Sequence, residues 1–184
     1  MSYLRTFAPW IVYAIIPAAY WQWAALIALL LSVVEVARQV RGGRTLDALM
    51  IDLGSLVFFA ALTVLAFVDP NTALHPYSPA LSSGVLALIA LFSLAVRRPF
   101  TLGIAKQSTP EEFWDNPVFI RTAYVLTSVW AASFTIGCLV LTVLAQAGST
   151  PRTIAQVLAF AIPVVFTIRY VAYIQSKAPA GAAA

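Results

Sequence analysis

Residues Leu46–Val68 read LDALMIDLGSLVFFAALTVLAFV, 23 residues with two carboxylates near one end and no base. Three more apolar runs follow, at 79–96, 122–145 and 153–174. About 20 residues at 1.5 Å each cross a ~30 Å hydrocarbon layer, so each run can span a bilayer once. Backbone N–H and C=O groups find no water there, and an isolated run satisfies them only as a helix. The pattern confines the chain to an all-α, polytopic membrane helix bundle.

Composition agrees. The chain of 184 residues is 61% hydrophobic and 10% charged, against about 25% charged in a soluble domain. A core of this size has no room for so many apolar side chains, so the partner at its surface is the lipid bilayer. The net charge is +4, from 11 Lys+Arg and 7 Asp+Glu. In linkers between membrane runs, that excess points to anionic lipid heads and not to nucleic acid. Cys138 is the only cysteine. It makes no intrachain disulfide, supplies no metal spacing, and reads as a packing residue. The N-terminal apolar run is too long for the core of a signal peptide, and AAY before WQW is a poor cleavage site.

That N-terminal run, residues 9–37, reads PWIVYAIIPAAYWQWAALIALLLSVVEVA. As one helix it would be roughly 43 Å long, more than one crossing needs. Pro17 removes a backbone donor and clashes one turn earlier. Tyr20, Trp21 and Trp23 follow it, and such residues favour the membrane–water interface. The preferred reading is two helices, 4–19 and 21–40, giving six crossings; the alternative is one helix and five.

The linkers set the orientation. RQVRGGR holds Arg38, Arg41 and Arg44, whereas DPNTALHPYS holds Asp69 and His75 but no Lys or Arg. The third linker holds Arg97, Arg98, Lys106 and Arg121; the fourth has Arg152; Lys177 follows the last span. Rich and poor linkers alternate, as the positive-inside rule requires, which puts linkers one and three and the C-terminus in the cytoplasm. With six crossings Arg5 joins them, and only Arg152 lies outside. Residues 1–177 read as a single transmembrane domain, and 178–184 (APAGAAA) as a disordered tail.

The order of features resembles a known family. LRTFAPWIVYAII is similar to the N-terminal signature of the bacterial intracellular septation protein A family, in which a Phe–Pro pair opens a short aromatic-rich helix. A basic turn (EVARQVRGGR), a loop with an acid and a proline (FVDPNTALHPYSPA), a basic–proline segment (VRRPF) and FWDNPVFIRTAYVLTSVW follow in the same order. Where the family's external loop carries Lys–Trp–Pro near its end, this chain has LHPYSP. The resemblance implies a small polytopic inner-membrane protein linked to septation and envelope synthesis, with cell-division or wall-synthesis membrane proteins as partners. It supplies no catalytic residues.

Charged residues within spans are costly and often functional. Here they are Glu35, Asp47, Asp52 and Arg169. Asp52 and Arg169 each lie about one and a half turns from the cytoplasmic end of their spans, which suggests a pairing that Glu35 or Arg121 could join. The plainer reading makes Glu35 a local partner of Arg38 and lets Asp47 and Arg169 reach the head groups. In the third linker, Thr109-Pro110-Glu111-Glu112 has the order of a helix start, and Asn116-Pro117 of its end. Arg97, Arg98, Phe100, Lys106, Phe113, Trp114 and Arg121 then form a lipid- or partner-binding surface around a short interfacial helix, or else an ordinary connector. His75 has no second ligand beside it, and no nucleophile, metal, phosphate or dinucleotide motif is present, so no cofactor is expected.

The leading functional expectation is a non-enzymatic envelope protein. The alternative is a small transporter or channel, working as a homo-oligomer, with an intramembrane Asp/Arg site and spans interrupted at Pro17 and Pro163. A transporter would line a cavity with Asp52 and Arg169; a scaffold would close them off. A membrane enzyme would need convergent polar groups that the sequence does not display.

Overall fold

A computed structural model describes residues 5–43 and 46–177, with side chains from Leu49 onward in the second stretch. The expectations for 178–184, for Arg44 and for the Asp47 side chain fall outside the described residues. Among the described residues seven helices carry the fold: α1 (Ala8–Ile15), α2 (Trp21–Arg41), α3 (Leu46–Val68), α4 (Ser78–Ala95), α5 (Phe100–Lys106), α6 (Pro117–Val143) and α7 (Ser149–Lys177). No strand occurs among the described residues. Helices α2, α3, α4, α6 and α7 are long and apolar enough to cross a membrane, which makes this a multi-pass membrane protein.

The N-terminal run is broken as Pro17 requires. Helix α1 ends at Ile15, and Ile16 and Pro17 are extended, with ψ of 130° and 143°. A 3-10 turn, Ala18–Tyr20, then leads into α2. Helix α1 alone is only about 12 Å long. Its Trp10 indole N–H donates to Ser55 Oγ at 2.7 Å, and the Tyr13 ring packs against Phe59. Both partners lie on α3 in the same order, so α1 runs parallel to α3. At that length it does not itself cross a membrane, and five helices are long enough to do so. The first helix is therefore shorter than the 4–19 expected, because the chain leaves helical geometry before Pro17.

Small residues set the helix spacings. Ala24, Ala28 and Ser32, four apart on α2, are all buried on the side that meets α3, and short side chains let membrane helices approach closely. A Cβ added to Gly54 of α3 would overlap the Ile89 side chain of α4, and one on Gly137 of α6 would lie 2.9 Å from Ala159 Cβ of α7. Helices α4 and α6 share the most extensive interface.

An aromatic cluster lies at the centre. Trp130 of α6 stacks on Phe7 with centroids 4.9 Å apart, and Phe100, Phe134 and Phe160 surround the pair. These rings join the N-terminus, α5, α6 and α7. Offset and edge-on aromatic contacts add to their apolar burial.

Helix α4 ends in a Schellman motif. Arg97 N–H donates to the Leu94 carbonyl at 3.0 Å and Arg98 N–H to the Ser93 carbonyl at 2.8 Å. Arg97 takes φ 58°, a left-handed conformation that this cap needs and that glycine adopts at less cost. Pro99 prevents continuation, and Ser93 Oγ accepts the Phe100 N–H at 3.2 Å. The chain turns inward there, and α5 is buried from Phe100 to Ile104. Thr101 Oγ1 donates to the Ala123 carbonyl of α6 at 2.8 Å, leaving Thr127 to donate to Thr101 at 2.7 Å.

Pro163 sits inside α7. Lacking an N–H, it leaves the carbonyl four residues earlier without its helical donor. That carbonyl belongs to Ala159, and Ser133 Oγ of α6 donates to it at 2.9 Å. One turn on, Thr167 Oγ1 donates to the Pro163 carbonyl at 2.7 Å and accepts the Trp130 indole N–H at 3.0 Å. The interruption is repaired by the neighbouring helix, as lipid-embedded backbone requires.

Candidate functional site

Among the described residues Asp52 is the buried carboxylate, 2% exposed on the inner face of α3. Helix α2 brings Gln39 to it, and the Gln39 amide Nε2 donates to Asp52 Oδ2 at 2.5 Å. Gln39 Oε1 has no hydrogen-bond partner among the described residues. One turn back on the same α2 face, Glu35 pairs with Arg38 at 3.6 Å, the i,i+3 contact that the sequence suggests. Gln39 is the residue that sequence reasoning missed. It lies four after Glu35, and that spacing on the buried stripe of α2 was its available signal.

The pairing of Asp52 with Arg169 does not form. Arg169 is exposed on α7, which packs on α6, whereas α3 packs on α2, α4 and α5. Arg121 is exposed in the first turns of α6 and makes no ion pair with Asp52. Equal depth along two spans says nothing about which helices adjoin, and here they lie apart.

The third linker divides. Arg97 and Arg98 are exposed at the α4 cap, while Phe100, Leu102 and Ile104 turn into the bundle and not toward lipid. The Lys106 ammonium sits 4.9 Å from the centre of the Trp114 ring, and the Trp114 indole N–H donates to the Thr109 carbonyl at 3.0 Å. Thr109-Pro110-Glu111-Glu112 leads into a single 3-10 turn, Glu111–Phe113, with no side-chain cap. Asn116-Pro117 opens α6 instead of closing a shorter helix. The Asn116 side chain accepts from Val118 N–H at 2.8 Å, with Pro117 at the first helical position.

At the other end of the bundle lies a partly open cavity of about 590 Å³. Its walls come from the α1–α2 break, the turn before α4 and the first turns of α7. Tyr13, Trp21, His75, Ser149, Arg152 and Gln156 face it. Trp21 fixes the His75 ring by stacking, with centroids 4.7 Å apart. In the sequence His75 and Arg152 look like unrelated loop residues, and only the folded chain brings them to one cavity.

No family model matches this chain, and neither does any curated protein or solved structure. The likeness to the septation protein A family thus rests on layout and short motifs. Those motifs have structural roles here: Phe7 and Trp10 pack the core, VRRPF caps α4 and inserts Phe100, and the Asn–Pro pair starts α6.

Proposed function

We propose that the chain is a non-enzymatic protein of the bacterial cytoplasmic membrane, supporting septation and cell-envelope homeostasis through contacts with other membrane proteins or with lipid. One observation carries the choice of a scaffold over a transporter. Asp52 is 2% exposed and bonded to Gln39, so the buried carboxyl group joins α2 to α3. The interruption at Pro163 has the same character, since Ser133 satisfies the carbonyl it frees. Intramembrane charges and broken helices mark transport paths when they line one; Asp52 and Pro163 are instead consumed by packing, and the break at Pro17 opens on the cavity at the Arg152 end. The envelope role itself draws on the layout shared with the septation protein A family.

The orientation follows from charge. Arg38, Arg41, Arg97, Arg98, Lys106, Arg121, Arg169 and Lys177 gather toward the end that carries the α2–α3 connection and the C-terminus of α7. Arg152 lies at the other. By the positive-inside rule the first end is cytoplasmic.

The test is purification of wild type and Asp52→Asn side by side in mild detergent, with bound proteins and lipids identified by mass spectrometry. Asparagine keeps an oxygen for Gln39, so the reading expects the same division or wall-synthesis partners from both. A small solute bound by the wild type and lost in the variant would overturn it in favour of transport.

A further inference from the structure

The cavity at the Arg152 end has a chemistry that the scaffold reading does not use. Arg152 is half-buried there. Its guanidinium makes one long hydrogen bond, 3.5 Å to the Ala145 carbonyl, and no ion pair among the described residues. A partly desolvated cation without a counter-ion is costly, and a guanidinium has five donors to direct. The donors around it point to what would fill the gap. Ser149 and Thr153 lie beside it in the first turns of α7, whose leading backbone N–H groups have no helical partners and carry the positive end of the helix dipole. Tyr13, Ser78 and Gln156 supply further hydroxyl and amide groups, and His75 is held by Trp21. No carboxylate lines the space among the described residues. The remaining wall, from Ile15 to Ala18 with Ala24, is apolar and belongs to the break between α1 and α2.

We propose that this cavity binds a phosphate group whose charge is not offset by a cation of its own ligand, with Arg152 as the charged clamp. A guanidinium fork matches the planar spread of phosphate oxygens, and hydroxyls and helix N-terminal N–H groups complete such sites. The phosphate can come from a lipid head group, whose chains would follow the apolar wall into the bilayer, or from a soluble phosphate on the same side of the membrane. The shared chemistry is the anion; the source is decided by experiment.

The full chain in detergent is titrated with phosphatidylglycerol, with phosphatidylcholine and with inorganic phosphate. Retained ligand is read by native mass spectrometry and thermal stability by tryptophan fluorescence. Wild type is compared with Arg152→Gln and, to guard against a folding defect, with Gln156→Leu. Wild type is expected to retain one phosphatidylglycerol in preference to phosphatidylcholine. Arg152→Gln should weaken that retention at least about tenfold, the loss expected for one charge-assisted contact, and Gln156→Leu should weaken it less. Stabilisation by inorganic phosphate that disappears in Arg152→Gln, with no lipid preference, would support the site and name a soluble ligand. Equal binding of both lipids and of phosphate by wild type and by folded variants would overturn the proposal. If Arg152→Gln does not fold, an undiminished preference in Gln156→Leu does the same.

Discussion

At the scale of single residues, most of the described buried hydroxyls are spent on backbone and side-chain partners, while Gln39 Oε1 and Gln107 Nε2 have none among the described residues. Ser133 is the clearest case. It lies on α6, 26 positions from the carbonyl it bonds, and it answers the donor lost at Pro163. Ser133→Ala should lower stability in detergent by about 1 kcal/mol, the scale of an interhelical hydrogen bond in a membrane protein, read as a fall in thermal midpoint. A Ser133→Ala midpoint equal to wild type would mean that the Ala159 carbonyl finds another donor. The sequence makes Pro163 visible and suggests that Ser and Thr of α6 help packing. It does not reveal which hydroxyl meets which carbonyl, because that depends on how α6 and α7 are rotated. Asp52 is similar. Its depth is legible, but its partner Gln39 emerges only when α2 and α3 are set antiparallel.

Among the elements, the long helices were legible and the short ones were not. The expected Leu46–Val68 coincides with α3, and α4 lies within one residue of 79–96 at each end. Helix α6 starts before the apolar stretch 122–145 and ends at Val143, just short of its close, and α7 runs beyond 153–174 at both ends. Helical geometry persists through polar turns once a cap such as Asn116 has begun it. Helix α5 escaped because FTLGIAK, with bases near both ends, has the composition of an interfacial segment, while its burial depends on room left beneath the capped end of α4. Arg97 makes that turn at a conformational cost. Arg97→Gly should therefore raise stability by about 0.5–1 kcal/mol, since glycine takes φ near 60° freely. Thermal unfolding of the purified protein reads this directly. A destabilised Arg97→Gly would show that the arginine side chain contributes more than its backbone costs.

On the scale of the whole molecule, topology carries the account. The proposed orientation, which rests on alternating basic and non-basic linkers, has the third linker and the C-terminus of α7 on one side. Single cysteines in a Cys138→Ala background should show it with a membrane-impermeant maleimide. Ser108→Cys and Ser176→Cys, both at exposed positions, should label from one face, and Asn71→Cys from the other. Labelling of 108 and 71 from the same face would break the helix order described above. What composition left illegible at this scale was the cavity. His75 and Arg152 converge because the α1–α2 break, the turn before α4 and the start of α7 meet at one end.

The central claim is that the charge inside the bundle closes a helix interface and does not line a path for water or solute. Asp52→Cys in the Cys138→Ala background, reconstituted in vesicles and treated from each side with a small, polar thiol reagent, tests it most directly. The account predicts no modification in the folded protein and full modification after denaturation, with Arg152→Cys reacting in both states. Rapid modification of Asp52→Cys from either side would place residue 52 on a water-accessible path and contradict the scaffold reading.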